Sequence, residues 1–262
     1  MTPPRSYLFV PGNRPDRFEK ACGSGADAVI IDLEDAVPAA ERAAARDYVK
    51  AWVSPIHPVL VRINGATTEW FKEDVALCSR PGITAVVLPK AERPEDVQAI
   101  GKPVVPIIET ARGFWNAAAL AHTPGVERLM FGSIDFQVDL GINGEGEELL
   151  YFRSQLVLVS RLAGLPAPVD GITAVFDSLD AVRADTGRAR RLGFGGKLCI
   201  HPRQVAAVNE GFGPTLEEEA WANRVIEAVA KGGEAAISME GEMVDRPVVA
   251  RARAILQRRS NS

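Results

Sequence analysis

This chain predicts a (β/α)₈ barrel, an α/β fold, and three observations carry that reading. Short runs rich in Val, Ile and Leu recur along 262 residues, a segment of helical character follows each, and no Gly/Ser-rich or Pro-rich linker divides them. Apolar runs of this length read as parallel strands buried on both faces. A doubly wound open sheet is the alternative closure of the same alternation.

In order, the first strand is expected over 6–10, where SYLFV precedes a PGN turn, and the second over 28–33, where AVIIDL ends in acids. The third, 59–63, is VLVRI before Asn-Gly, and the fourth, 84–88, is TAVVL before Pro-Lys. VVPII supplies the fifth over 104–108, and RLMF before Gly-Ser the sixth over 128–131. The seventh, near 171–175, has the weakest pattern, and KLCI before His-Pro gives the eighth over 197–200. Residues 137–148 (QVDLGINGEGEE) interrupt the alternation and read as a surface excursion over the mouth. From Thr215 onward, a helix with acids in its first turn, a polar break at MEGEMVDRP and a basic helix follow. The expected organisation is one domain, 1–262, with a C-terminal helical extension from about 215.

Composition narrows the function classes. A 47% hydrophobic chain can bury a large core, and 34 acidic against 30 basic residues, with the basic ones scattered apart from an Arg-rich end, exclude a nucleic-acid surface. The apolar run in MTPPRSYLFVPG is too short for a signal-peptide core and no segment reaches membrane-span length, so the expectation is a cytoplasmic protein. Cys22, Cys78 and Cys199 are odd in number and widely spaced, which fits buried thiols better than disulfides or a zinc site. The histidines His57, His122 and His201 are too scattered for a metal cluster.

Charged side chains at strand ends are the candidate functional residues: Arg62 in PVLVRIN, Glu109 in VVPIIETARG and Asp135 in RLMFGSIDF. A charge there needs a partner or a task. In a barrel, Glu109 and Asp135 follow neighbouring strands, and two carboxylates with open water positions suit Mg²⁺. The alternatives are a Glu109–Arg112 pair and Asp135 capping a turn. Arg62 can grip a carboxylate bidentately or neutralise Asp32, Glu34 and Asp35, and the two roles are compatible. Lys90 on the rim binds an anion or pairs with Glu92.

The motifs YLFVPGNRPDRFEKA, AVIIDLEDAVP, LVRING, VVLPKAE, IIETARG, a glycine turn with Asp135, CIHPRQV and GEMVDRPVV occur in this order over nearly the whole chain. In this it resembles the citrate lyase β-subunit family, which includes malyl-CoA and citramalyl-CoA lyases and has barrels related to those of malate synthases. The resemblance implies Mg²⁺ on Glu109 and Asp135, with Arg62 orienting the carboxylate of an α-keto acid. It implies contacts from Phe9, Arg14 and Lys20 to the CoA part of an acyl thioester, although Arg14 and Lys20 could equally be solvated charges on a helix. The carrier can be CoA or an acyl carrier protein, and the assembly a homo-oligomer such as a trimer. Asp245 is expected to reach a neighbouring subunit's site as the acid–base group, its alternatives being a pair with Arg246 or a loop end before Pro247. His201 is expected to pack or hydrogen-bond, its segment lining the substrate channel through backbone.

The implied activity is Mg²⁺-dependent carbon–carbon cleavage of a citryl-, malyl- or citramalyl-type thioester into an α-keto acid and a short acyl thioester. Ile134 stands where relatives often carry Glu, and the chain is shorter at its C-terminus than the CoA-lyase relatives. The rival expectations are a malate-synthase-like condensation or thioesterase, and a non-catalytic scaffold subunit.

Overall fold

The Val/Ile-rich runs pair as a closed parallel sheet, and closure leaves no strand edge unsatisfied. The computed structural model describes residues 3–175, 177–232, 237–239 and 242–259. Its strands β1 (Ser6–Pro11), β2 (Ala28–Asp32), β3 (Val59–Arg62), β4 (Ile83–Leu88), β5 (Val104–Ile108), β6 (Met130–Phe131), β7 (Val169–Asp170) and β8 (Gly196–Cys199) are hydrogen-bonded in that order. The ring closes where Ser6, Tyr7 and Leu8 of β1 face Lys197, Leu198 and Cys199 of β8. This is a (β/α)₈ barrel.

Side chains alternate across each strand. Tyr7, Ile30, Ala85, Val87, Val105, Ile107, Met130, Val169 and Leu198, drawn from seven of the eight strands, form one buried cluster, with Leu60 of β3 packed against it. Their strand neighbours Leu8, Ile31, Val86 and Ile108 point the other way and are equally buried, as strands covered on both faces require. Because all eight strands are parallel, Asp32, Arg62, Glu109, Gly132 and Asp170 gather at or just beyond one rim.

The last strands differ from the sequence expectation. β6 starts at Met130, because Arg128 is a buried brace: its Nε donates to Ala167 O at 2.6 Å and its Nη1 to Pro4 O at 2.6 Å and Tyr7 Oη at 3.1 Å. β7 is Val169–Asp170, not 171–175. Two residues carry no period, and Asp170 hides the strand because its burial depends on Arg153, whose Nε donates to Asp170 Oδ1 at 2.9 Å. Gly171 follows, with Ser133 Oγ packed where a Cβ would stand. The stretch 137–148 is only partly an excursion, since the helix Ser133–Leu140 occupies its start and ends at Gly141 in the left-handed region, φ 67°.

Residues 3–209 form one compact unit, and the described residues from Glu210 onward belong to a second. In the second, the helix Leu216–Gly232 opens with a reciprocal cap: Thr215 Oγ1 accepts from Glu218 N at 3.1 Å and Glu218 Oε2 from Thr215 N at 2.9 Å. The segment read as a polar break, MEGEMVDRP, carries β10 (Glu242–Val244), which pairs antiparallel with β9 (Ile237–Met239) at its start, before the helix Arg246–Arg259. Ala222, Val225, Val244, Ala252 and Ile255 are the buried core of this unit. Among the described residues, no helix is long and apolar enough to cross a membrane.

Ile30 is fully buried inside the barrel. Truncation in Ile30→Ala should cost about 2–5 kcal/mol. Urea unfolding should show this as a lower midpoint at unchanged slope.

Candidate active site

The rim is assembled by strand register. Asp32 of β2 and Arg62 of β3 are direct partners, so the guanidinium meets the carboxylate squarely: Nε to Oδ1 at 2.7 Å and Nη2 to Oδ2 at 2.6 Å. Asp32 also accepts the backbone N–H groups of Glu34 at 2.9 Å and Ala36 at 3.0 Å, which fixes the loop after β2. The remaining nitrogen of Arg62, Nη1, stands 3.3 Å from Glu34 Oε2 and 3.5 Å from Asp35 Oδ2. Burial alone would lower the Arg62 pKa, but Asp32, Glu34 and Asp35 outweigh it and raise it, so the guanidinium is permanently charged. The neutralising role expected of Arg62 is thus present.

Lys90, just after β4, is the only non-glycine residue with positive φ among the described residues, at 46°. That conformation aims its N–H at Glu109 Oε1, 2.7 Å away, while its Nζ donates to Glu34 Oε1 at 2.7 Å. The partner of Lys90 is therefore Glu34, not Glu92. Glu92 accepts from Thr110 Oγ1 at 2.9 Å and lies 3.8 Å from Arg112 Nε, so Arg112 pairs with Glu92 and the alternative Glu109–Arg112 pair does not form.

Glu109 follows β5 directly and is 3% exposed. Burial first, then the charges of Glu34 and Asp135, push its pKa up to about 8 against the pull of the Lys90 N–H and Arg62. Burial likewise raises Glu34, with Arg62 and Lys90 opposing. Gly132 makes room for Glu109, since a Cβ there would overlap the Glu109 carboxylate and Cβ. Asp135 lies in the first turn of the helix Ser133–Leu140, half-buried, and its side chain has no hydrogen-bond or ion-pair partner among the described residues. Asp32, Glu34, Glu109 and Asp135 are thus gathered around two cations among the described residues, Arg62 and Lys90. Such an acidic surplus can hold a hard cation. No group of three or more His, Cys, Asp or Glu forms a metal cage among the described residues, but a pair of carboxylates with water in the remaining positions is an arrangement Mg²⁺ accepts.

Beside this cluster lies a cavity of about 310 Å³ lined by Phe9, Arg17, Lys20, Ile200 and His201, among others. Phe9 joins the two regions, because its ring lies 4.7 Å from the Arg62 guanidinium. Of the residues expected to meet a thioester, Phe9 and Lys20 line the cavity, whereas Arg14 does not and is paired with Asp16 at 2.8 Å. Arg17 takes that place. The three-residue spacing of Arg17 and Lys20 was a usable signal, one that the Arg14–Asp16 proximity conceals. His201 accepts the Arg203 N–H on Nδ1 at 3.1 Å, a hydrogen-bonding histidine at the cavity wall. Asp245 lies in the C-terminal unit, where its Oδ1 accepts the Val248 N–H at 3.2 Å and caps the helix Arg246–Arg259.

Fold and site define a class: a (β/α)₈ barrel protein whose rim holds a surplus of carboxylates next to a cavity edged by cations. The chain belongs to the HpcH/HpaI aldolase/citrate lyase family, which matches residues 5–202. It is 39% identical to a citrate lyase subunit beta-like protein of Deinococcus radiodurans, over 96% of each chain. It is 34% identical to a (3S)-malyl-CoA thioesterase of Cereibacter sphaeroides, over 97% of this chain and 94% of the relative. It also superposes on Mycobacterium tuberculosis CitE in complex with magnesium, acetoacetate and coenzyme A, with a TM-score of 0.90, 32% identity and 98% of each chain covered.

The raised pKa of Glu109 has a measurable cost. Between its ordinary value of 4.5 and about 8, the folded state keeps a proton that the unfolded state has lost, so the Glu109 contribution to stability falls as pH rises through that window. In metal-free protein, Glu109→Gln should therefore stabilise the fold by roughly 1 kcal/mol or more at pH 8 and little at pH 5. Thermal unfolding in a chelator across that range reads the difference.

Proposed function

We propose that this protein is a Mg²⁺-dependent carbon–carbon lyase acting on a 3-hydroxyacyl thioester that carries a carboxylate at the hydroxyl carbon, of citryl, malyl or citramalyl type. The observation that carries the proposal is Glu109: a carboxylate 3% exposed, with one backbone donor and two further acids in electrostatic reach, beside a cavity with cations on its wall. A buried carboxylate with its pKa pushed this far by burial and neighbouring acids is the kind of group found at ligand sites, where a bound cation offsets the cost. CitE, a relative of the same fold, binds magnesium, acetoacetate and coenzyme A, a ligand set that the acid cluster and the cavity of this chain would divide between them.

Glu109 and Asp135 would hold the ion, Glu109 keeping its orientation through the Lys90 N–H. When bound, Mg²⁺ supplies the Lewis acidity that lowers the substrate hydroxyl pKa and polarises the oxygen destined to become the keto carbonyl. Arg62, already fixed by Asp32, turns Nη1 toward the substrate carboxylate, which competes for that nitrogen with Glu34 and Asp35. Phe9 carries the thioester arm past Arg62 into the cavity, where Arg17 and Lys20 meet the anionic end of the carrier. A base takes the hydroxyl proton, the C–C bond breaks to give the α-keto acid, and the electron pair departs as the thioester enolate, which is then protonated. Asp245 of a neighbouring copy in a homo-oligomer is our candidate for that acid–base work. Its capping bond to Val248 would have to yield to the substrate.

A second reading, thioester hydrolysis, is favoured by the (3S)-malyl-CoA thioesterase relative. Incubation with a panel of hydroxyacyl-CoA thioesters and Mg²⁺, with products read by mass spectrometry, separates the two. Cleavage yields a keto acid with a shorter acyl-CoA; hydrolysis yields free CoA.

Glu109→Gln and Asp135→Asn should each weaken Mg²⁺ binding by tenfold or more in calorimetry, since an amide keeps the shape and loses the charge. Unchanged affinity in a folded double variant would remove the metal assignment. Arg62→Lys should lower kcat/KM by at least tenfold, because one charge-assisted hydrogen bond is worth about 1.5–3 kcal/mol. Mixing inactive Glu109→Gln with inactive Asp245→Asn subunits should restore activity if Asp245 acts in trans, and no recovery after verified exchange excludes that role.

A further inference from the structure

Asp135 has no hydrogen-bond or ion-pair partner among the described residues, so its direction depends on how its helix is held. The apolar side of the helix Ser133–Leu140 is fixed by Phe136, which packs edge-on against Phe131 at 5.3 Å and Phe152 at 4.7 Å between ring centroids. The polar side is fixed from the loop that follows the helix. Glu145 Oε1 accepts from Gln137 Nε2 at 2.8 Å and from Ser133 Oγ at 3.4 Å, two residues of the same helix that lie on either side of Asp135 in sequence.

Glu145 is itself held by Arg153, a guanidinium 1% exposed. Arg153 Nη1 donates to Glu145 O at 2.7 Å and Nη2 to Glu145 Oε2 at 3.1 Å, while Nε donates to Asp170 of β7 at 2.9 Å. The same guanidinium lies 5.5 Å from the ring of Phe131, the last residue of β6. One side chain therefore ties β6, β7 and the 141–146 loop together, and Glu145 passes that rigidity to the helix carrying Asp135. Burying an arginine this completely is costly unless all of its bonds are kept, so the clamp has one well-defined geometry.

From this arrangement we infer that Glu145, locked by Arg153, is a positioning residue for Asp135. It touches neither substrate nor ion; it sets the angle at which the helix presents the Asp135 carboxylate. The inference rests on the reading of Asp135 as a cation ligand. Groups that orient metal ligands from behind typically change affinity by about 10–100-fold when removed.

The test uses Glu145→Ala, Glu145→Gln and Arg153→Lys in the full chain, with Asp135→Asn as a parallel control. Glu145 is partly exposed, so its variants are expected to fold even if the buried Arg153 tolerates little. In metal-free protein, amide hydrogen exchange over 133–140 should accelerate about tenfold in Glu145→Ala, and the Mg²⁺ Kd should rise by about tenfold. Glu145→Gln keeps one acceptor oxygen, enough for Gln137 and Ser133, and loses the charge and the oxygen that accepts from Arg153 Nη2, while Arg153 Nη1 still has the backbone carbonyl at 145. It should bind Mg²⁺ more tightly than Glu145→Ala and less tightly than the parent, because the helix contacts survive and one bond of the Arg153 clamp does not. Exchange unchanged in Glu145→Ala, or a Kd within twofold of the parent, overturns the inference, as does a Glu145→Gln as weak as Glu145→Ala. If Asp135→Asn binds Mg²⁺ as the parent does, the metal reading fails and takes the positioning role with it, whereas a weakened Asp135→Asn beside a normal Glu145→Ala refutes the positioning role alone.

Discussion

The rim of this barrel rests on the in-register meeting of Asp32 and Arg62 at the ends of β2 and β3. The bidentate pair lets an arginine remain charged where burial would otherwise penalise it, and its remaining nitrogen then tolerates Glu34 nearby. Lys90 extends the chain of compensation from Glu34 to Glu109. Compensation stops there. Glu34 Oε2 makes no hydrogen bond and Asp135 has no partner among the described residues, so the rim keeps an excess of negative charge that packing alone does not explain. A low-dielectric site with uncancelled charge is primed for a counter-ion.

The barrel separates the cost from the rest of the fold. The interior cluster of Tyr7, Ile30, Val87, Ile107 and Leu198 is apolar, and Arg128 braces Pro4, Tyr7 and Ala167 away from the rim acids. The rim can therefore carry the strained backbone of Lys90 and the raised pKa of Glu109 while the core carries stability. This division is familiar in barrels, where strand C-termini hold chemistry and the packed interior holds the fold.

Six strands were legible to within a residue at each end: β1 to β5, which are long enough for Val and Ile to display a buried run, and β8, whose KLCI ends at His-Pro. β6 and β7 were not, being two residues each: Arg128 extended one falsely, and the buried charge of Asp170 concealed the other. Arg62, Glu109 and Asp135 stood out because each charge interrupts or follows an apolar run. The acids around Arg62 were legible too, but the tie of Glu109 to Lys90 was not, since it depends on a left-handed backbone that no spacing rule announces, and the Lys90–Glu34 bond beside it spans 56 residues. Arg17 lines the cavity where Arg14 does not, and only the fold shows that Asp16 claims Arg14. No spacing marks the Glu145–Arg153 clamp, because only the fold buries that guanidinium and brings Asp170 to it.

The central claim is that the carboxylate surplus at Glu109 and Asp135 is a divalent-cation site. Mn²⁺, which accepts the same oxygen donors as Mg²⁺ and scatters anomalously, locates such a site without reference to turnover. Crystals grown with Mn²⁺ should give one strong anomalous peak roughly 2.0–2.3 Å from a carboxylate oxygen of Glu109 and of Asp135, with waters completing the octahedron. A peak placed elsewhere, or a rim without one at saturating Mn²⁺, would contradict the account.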